Sequence, residues 1–379
     1  MNNFSPFDNY RQSAQKFFDD KGMPSSKVEY YKYSSVANFI GNEEVFYNDT
    51  REIGKLSEKE NGIITGSLIL FADRYKEIFE KYYNTIASKE QDSMVALNTA
   101  LASGGEVVFI PKNVHLDAPI LIDLSQEAND FGRRDLFILG ENANANIVIH
   151  HGKTPNILNR VCEIILLDGA NLEVVEDNSD NQNSRKINTT LVSQHRNSTF
   201  KHTAVVAQQG FCRNNIKVSM TEEGSSCHLN GVAISREEAH IDNTTTVEHL
   251  AERCTSYQLY KNVAADKATA VFGGNIFVAP GAQKTEAYQK NNNILLSDDA
   301  TIHTKPQLVI NADDVKCSHG ATVGQLNEEA LFYIRQRGIS ETQAQGLLLT
   351  GFIGEVLQKI DEEDLREELT EKLQSLCSI

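Results

Sequence analysis

Asp266-Lys267-Ala268, Pro280-Gly281-Ala282 and Asp298-Asp299-Ala300 are three copies of a small turn that recurs along this chain. In each copy an acidic residue or a glycine makes the turn, and a small alanine begins the next strand. Similar turns occur earlier at residues 141–143, 168–170 and 237–239. Successive alanines are 27, 69, 29, 14 and 18 residues apart, so the spacing is close to multiples of ~14.

Short apolar runs rich in Val, Ile and Thr lie between these turns, from about residue 104 to residue 324. Strands at such regular spacing are typical of a sandwich, a barrel or a solenoid. Helix signals are missing from this region, which favours a solenoid in which each coil buries its apolar face against the next coil. The sequence therefore predicts a mainly β fold with a parallel β-helix (β-solenoid) core.

Both ends of the chain have helical patterns. Residues 73–82 are amphipathic, and residues 92–102 have helical apolar spacing before the stop at Gly104-Gly105. Near the C-terminus, Asn327 is placed to cap one helix, and Ser340 with Gln343 fits a capping box for the next. We therefore expect an N-terminal helical domain over residues 1–102, a β-helix core over 103–325 and a C-terminal helical domain over 326–379.

An apolar stripe in the C-terminal region advances four residues at a time through Leu348, Phe352, Val356 and Ile360. A second stripe of leucines follows over residues 365–376. Such stripes usually form the core of a domain, but a small helical domain on a solenoid has few other surfaces to pack against. Leu348, Phe352 and Val356 are accordingly candidates for either core packing or partner docking.

Composition restricts the partners and the compartment. The net charge of −16 argues against nucleic-acid binding, and no apolar run approaches the ~18 residues that a membrane span needs. The N-terminal residues lack the features of a signal peptide, and the six cysteines are not closely paired. These features predict a cytoplasmic protein. Because the chain has no Gly-rich loop ending in Gly-Lys-Ser/Thr, we expect it to bind no nucleotide.

The segment from Asp314 to Gly324 carries the candidate site. Cys317 and His319 are two residues apart, so on a strand they share a face, with Cα atoms about 6.5–7 Å apart. Thiol and imidazole are the side chains best suited to soft or borderline metals. Two donors are too few for a four-coordinate site, so metal chemistry here would need donors from another strand or another chain. The alternative is that Cys317 is an ordinary core cysteine.

Two other functions agree with parts of this pattern. Asp298-Asp299 and Asp313-Asp314 could serve as the paired acids of a β-helical carbohydrate-active enzyme, although turn chemistry also explains them. Such an enzyme is disfavoured because the chain has no Trp for stacking on sugars and no signal peptide. A purely structural homodimeric solenoid agrees with every feature of the composition.

Several segments resemble the SufB/SufD family of the Suf iron–sulfur cluster assembly system. The strongest similarity lies at residues 281–289, 293–300, 305–310, 313–324 and 331–339, with weaker similarity at 110–119 and 30–35. The segment Lys316-Cys317-Ser318-His319-Gly320 is similar to the SufD branch, whereas SufB chains tend to have Glu-His-Glu there. The resemblance implies a right-handed β-helix with helical domains at both ends.

The resemblance also implies a non-catalytic scaffold subunit of a SufBCD complex. A SufB-like subunit would pair with the terminal strands near residues 305–323, and a SufC-like ATPase would dock on helices spanning residues 340–360. Cys317 and His319 would then contribute donors to a transient iron–sulfur cluster shared with the partner subunit. When the chain is alone, the same edge would allow a homodimer.

Overall fold

The computed structural model describes residues 5–40, 54–124, 130–152, 157–179 and 183–377. Within these ranges, the N-terminal region contains five α-helices, two single-turn 3-10 helices (Glu29–Tyr31 and Ala87–Lys89) and two short strands. In chain order the α-helices and strands are α1 (Asp8–Lys21), α2 (Val36–Ile40), β1 (Leu56–Glu58), β2 (Ile64–Ser67), α3 (Leu68–Arg74), α4 (Lys76–Tyr82) and α5 (Ser93–Leu101). Asp92 caps α5 by accepting a hydrogen bond from the Met94 amide, as expected for a helix over residues 92–102.

The N-terminal region departs from the sequence prediction in two places. The helix predicted over residues 73–82 is interrupted at Tyr75, whose φ and ψ of −121° and 46° separate α3 from α4. The strands β1 and β2 were also not predicted, since three and four residues are too few to show a period. The strand β2 pairs antiparallel with the first solenoid strand, so this region is continuous with the solenoid.

In the described ranges, sixteen strands follow and form the solenoid. They are β3 (Glu106–Ile110), β4 (Ile120–Asp123), β5 (Asp130–Leu139), β6 (Asn144–His150), β7 (Ile157–Leu166), β8 (Asn171–Asn178), β9 (Arg185–Gln194), β10 (Thr199–Gln208), β11 (Phe211–Met220), β12 (Ser226–Ser235), β13 (His240–His249), β14 (Thr255–Ala264), β15 (Thr269–Val278), β16 (Glu286–Leu295), β17 (Thr301–Ile310) and β18 (Lys316–Gly324).

Each strand from β3 to β16 pairs in parallel with the strand two places later. The odd-numbered strands from β3 to β17 therefore continue a 10-stranded sheet, and the even-numbered strands from β4 to β18 form an 8-stranded sheet. The result is a parallel β-solenoid of about seven turns, which confirms the predicted fold. One coil repeats every 26 to 32 residues, since Arg185 pairs with Phe211 and Thr269 with Thr301. Two strands per coil explain the alanine spacing near 14.

The turns between strands use residues that tolerate a left-handed backbone. Asn142, Gly169 and Asn197 lie at the same corner of successive coils, with φ of 53°, 68° and 53°. A small residue follows each of these turns, and Ala143, Ala170 and Ser198 are all fully buried. Full burial at the corner favours a small side chain, which agrees with the recurrence of alanine in the sequence.

The solenoid interior is partly polar, and its polar groups stack in register. Asn188, Asn214 and Asn243 occupy equivalent positions on β9, β11 and β13. The Asn188 amide donates to Asn214 at 3.0 Å, and the Asn214 amide donates to Asn243 at 2.9 Å. Because each amide serves the next, polar side chains remain inside without losing all of their hydrogen bonds.

Three helices follow β18 in the described part of the chain: α6 (Glu328–Arg335), α7 (Glu341–Leu357) and α8 (Glu363–Cys377). Asn327 caps α6, and Ser340 with Gln343 forms the predicted capping box of α7. Leu349 and Ile353 of α7 share one buried cluster with apolar residues of the 8-stranded sheet and with Leu369 and Leu373 of α8. Among the described helices, none has the length and apolar composition required to span a membrane.

Candidate functional site

The solenoid ends in two long edge strands. In the described part of the chain, β17 pairs only with β15, and β18 pairs only with β16, so each is the last strand of its sheet. Most side chains of β18 are exposed. Val309, Ile310 and Val323 are 42%, 40% and 47% exposed. An edge of this length presents unpaired backbone N–H and C=O groups together with apolar side chains.

Cys317 and His319 lie on this last strand, and their side chains share a face as predicted. Cys317 is in register with Ala287, and His319 is in register with Gln289. Ala287 and Gln289 are buried, so this face continues the inner face of the solenoid to its open end. Cys317 is half-buried against an apolar cluster that includes Val278, whereas His319 is exposed. Neither residue is deep in the core.

The environment of Cys317 favours the neutral thiol. Partial burial raises the pKa of the Cys317 thiol, and a hydrogen bond from the backbone of Ala287 offsets only part of this effect. The strand β18 provides one thiol and one imidazole. Among the described residues, no third metal-binding side chain completes a compact cluster with them. A metal or cluster held here would therefore need donors from a second chain and would displace the Cys317 proton.

A cleft of about 630 Å³ lies beside the same strand, and His319 is among the residues that line it. Its floor is a row of stacked rings on the outer face of the 8-stranded sheet. His228 stacks on Tyr257 at 5.2 Å between ring centroids, and Tyr257 stacks on Tyr288 at 5.4 Å. Sequence reasoning missed this row. The three rings are spaced one coil apart along the sequence. This spacing can be recognised in the sequence only once the coil length is known.

The residues predicted for partner docking on α7 lie partly in the core. Val356 is fully buried, and Leu348 is half-buried. Phe352 is half-buried beneath Lys261, whose ammonium lies 4.5 Å from the ring centroid and donates to the Phe352 carbonyl oxygen at 2.7 Å. Val356 and Phe352 therefore fix α7 to the solenoid. The large apolar residues exposed on α6 and α7 are instead Phe332, Tyr333 and Leu347.

The paired acids considered for a carbohydrate-active enzyme lie in turns. Asp298 and Asp299 precede β17, and Asp313 and Asp314 precede β18; all four are exposed. The backbone amide of Lys284 donates to the carbonyl oxygen of Asp314 in the next turn. This placement supports the interpretation of these acids as turn residues.

Comparison with known proteins identifies the family. Residues 124–352 match the description "SUF system FeS cluster assembly, SufBD core domain", and residues 37–122 match "SufBD protein N-terminal region". An iron–sulfur cluster assembly SufBD family protein of Synechocystis is 33% identical over 279 residues, which cover 70% of this chain and 62% of that protein.

Two relatives are named SufD. The iron–sulfur cluster assembly protein SufD of Escherichia coli is 40% identical over 161 residues, covering 42% of this chain and 38% of the relative. SufD of Bacillus subtilis is 25% identical over 319 residues, covering 82% of this chain and 73% of the relative. The matched region thus spans less than two thirds of the Synechocystis and E. coli proteins. The core-domain match alone covers more than half of the chain, and the chain therefore belongs to the SufBD family of the SUF iron–sulfur cluster assembly system.

Proposed function

We propose that this chain is a non-catalytic, SufD-like scaffold subunit of a SufBCD-type complex. A SufB-like subunit would pair with β17 and β18, and a SufC-like ATPase would dock on the C-terminal helices. The proposal depends mainly on one observation: both sheets end in long exposed edge strands, and one of these strands carries Cys317 and His319.

The edges support strand pairing between subunits. Strands of ten and nine residues are long enough to form extended ladders with a partner's strands. The exposed apolar side chains Val309, Ile310 and Val323 would be buried in the same contact. Each would contribute hydrophobic stabilisation in addition to the backbone hydrogen bonds.

The donor set supports a site shared between two chains. Cys317 supplies a soft sulfur ligand and His319 a borderline nitrogen ligand, a combination suited to iron or to a nascent iron–sulfur cluster as cargo. The partner subunit would supply the remaining ligands, so that cluster assembly would depend on complex formation. In the described structure all six cysteines are free thiols, which agrees with a reducing cytoplasm.

The C-terminal helices support docking of an ATPase on their exposed side. Phe332, Tyr333 and Leu347 are 63%, 59% and 49% exposed. Leu347 also lines a shallow groove with Ile339 and Gln374. We assign the docking surface to these exposed residues in place of Phe352 and Val356. Nucleotide binding and hydrolysis belong in this scheme to the docked subunit.

Co-expression with SufB-like and SufC-like partners tests the shared site. Iron and acid-labile sulfide would be measured in the purified complex for the wild type and for Cys317→Ala combined with His319→Ala. We expect the double variant to assemble normally and to lose most of its iron and sulfide. Ser318→Ala is the matched control, since Ser318 lies between the two donors on the opposite face. Full iron and sulfide in the double variant would refute the site.

A homodimer is a second candidate state for the chain by itself. The same open edges could pair with a second copy when no SufB-like subunit is present. Light scattering of the purified chain would measure its molar mass, and addition of the SufB-like partner should convert the dimer to a heterocomplex. If the homodimer persisted in the presence of excess partner, the chain would function as the structural solenoid alone.

A further inference from the structure

One corner of the solenoid brings together three side chains that bind metals. Asp168 lies in the turn between β7 and β8, His195 in the turn between β9 and β10, and Glu222 in the turn between β11 and β12. These three residues come from consecutive coils. Their side chains converge at one corner of the solenoid. All three residues are far from the edge strand β18 along the sequence.

Backbone hydrogen bonds hold these three turns in fixed positions. The His195 amide donates to the Leu166 carbonyl oxygen at 2.9 Å, and the Gly169 amide donates to the Arg196 carbonyl oxygen at 2.8 Å. The third turn is tied in the same way, since the Asn197 amide donates to the Glu223 carbonyl oxygen at 3.0 Å. The backbone that carries the three side chains is thus already ordered, so that little conformational entropy would be lost when they bind a common ligand.

The donor atoms are close enough to share one ion. One carboxylate oxygen of Asp168, one imidazole nitrogen of His195 and one carboxylate oxygen of Glu222 all lie within 4.8 Å of one another. His195 Nδ1 and Glu222 Oε1 are 3.1 Å apart. Donors in a tetrahedral zinc site are separated by about 3.4 Å, given metal–ligand bonds of about 2.0–2.1 Å. Asp168 is exposed and needs only a small side-chain movement to close the remaining gap.

The surrounding charges leave this corner acidic. Two arginines are nearby, but both pair with the adjacent Glu223: Arg196 Nη1 lies 2.5 Å from Glu223, and Arg253 Nη1 lies 3.4 Å from it. Arg196 reaches Glu222 only at 4.0 Å. Glu223 is thus the nearer partner of both guanidinium groups, and Arg196 offsets only part of the charge of Glu222. The carboxylates of Asp168 and Glu222 remain beside His195, and the local charge favours a divalent cation.

We propose that Asp168, His195 and Glu222 form a binding site for a divalent transition metal such as Zn²⁺, Mn²⁺ or Fe²⁺. The imidazole selects first-row transition metals over Ca²⁺ and Mg²⁺, which prefer oxygen ligands alone. Half-exposure of His195 and Glu222, at 33% and 39% of their side chains, leaves room for water to complete the coordination. A metal here would connect three consecutive coils at one corner, independently of Cys317 and His319.

Titration of the full chain with Co²⁺ tests this site. To remove the competing donors at the edge, the parent would carry Cys317→Ala and His319→Ala. We expect one equivalent of Co²⁺ to bind, with a visible absorption band, and Zn²⁺ to displace it. Adding His195→Ala or Asp168→Asn to this parent should lower the affinity at least about tenfold.

His150 supplies the matched control for this titration. It is a half-exposed histidine whose Nδ1 lies 3.0 Å from the Asp177 carboxylate, outside the three-residue cluster. His150→Ala should therefore leave Co²⁺ binding unchanged, and thermal melts would show that each variant is folded. If the parent binds no Co²⁺, or if folded His195→Ala and Asp168→Asn bind it as tightly as the parent does, the site is excluded.

Discussion

Cys317 lies directly opposite Ala287 on the last pair of strands in the 8-stranded sheet. This register turns the thiol toward the inner face of the final coil. The same face that buries Ala287 within the solenoid is only half-covered at Cys317, because no described strand follows β18 in this sheet. Partial burial of Cys317 disfavours a charge on its thiol, and its partial exposure allows a partner chain to reach it.

We expect cluster loading to strengthen as the pH rises. Partial burial raises the pKa of Cys317, so the thiol is protonated at neutral pH and must lose its proton when it binds iron. Below that pKa, each unit of pH increases the thiolate fraction about tenfold. Cluster retention by the complex would be measured from pH 6.5 to pH 8.5. We expect cluster retention to rise less steeply with pH in Cys317→Ala than in the wild type. An equal dependence on pH in both proteins would contradict the assignment of Cys317 as a cluster donor.

Replacing Val323 with lysine should prevent partner pairing without unfolding the chain. Val323 is 47% exposed on the edge strand β18, so a lysine there costs the isolated chain little but places a charge in the subunit contact. Co-purification with the SufB-like subunit measures the effect. Leu121→Lys is the control, because Leu121 is 75% exposed on β4, at the opposite end of the same sheet. Equal loss of pairing in both variants would argue against the proposed edge.

The exposed residues of α6 and α7, not the buried ones, should control ATPase docking. We expect Leu347→Asp and Phe332→Asp to reduce co-purification of a SufC-like subunit and to leave the melting temperature nearly unchanged. Val356→Asp should instead destabilise the C-terminal helices, because it would bury an unpaired charge. If Leu347→Asp and Phe332→Asp both retained full docking, the ATPase would have to bind elsewhere.

Loss of Arg134 should be among the most destabilising single changes in the solenoid. Arg134 and Glu163 are fully buried and form an ion pair at 2.8 Å, and Glu163 also accepts amide hydrogen bonds from the segment that follows α4. Arg134→Met leaves the Glu163 carboxylate buried without its cation, at a cost of about 3–5 kcal/mol. The exposed pair Lys76–Glu80 is the control, and Lys76→Met should change stability by less than about 1 kcal/mol in urea unfolding.

Three buried histidines should make the fold sensitive to acid. Burial lowers the pKa of His151, His240 and His249 from the ordinary 6.5 to about 4. Between these values the unfolded chain binds protons that the folded chain does not, so the free energy of unfolding falls as the pH is lowered from 6.5 toward 4. Each histidine contributes at most about 1.4 kcal/mol per pH unit. Urea titrations across this range measure the slope, and His249→Gln should reduce it.

The sequence predicted the architecture because its strongest signals are local. The turn alanines recur with the strands, and their burial at the corners follows from the tight geometry of each turn. The Ser340–Gln343 capping box needs only neighbouring residues, so it was also predictable. The common face of Cys317 and His319 follows from strand alternation alone.

Features that depend on register between coils could not be predicted in this way. Arg134 and Glu163 lie among other charged residues on β5 and β7, and only the pairing of these two strands shows which of the charges meet. The convergence of Asp168, His195 and Glu222 likewise requires the coil length to be known. The stripe on α7 was ambiguous for a different reason, since helical periodicity identifies an apolar face but not the surface that covers it. Val356 shares a buried cluster with residues of the 8-stranded sheet and of α8, so the solenoid and α8 together cover this face.

The two ends of the solenoid have edge strands of unequal length, which would limit growth of the proposed assembly. One end finishes in strands of three and four residues, β1 and β4, whereas the other finishes in strands of ten and nine residues. Short edges are poor templates for further pairing. In the proposed complex, a contact between two long edges would occupy the long-stranded end of each chain, and the described strands at the other ends are short. Such an assembly would stop at two solenoids and would not extend into filaments.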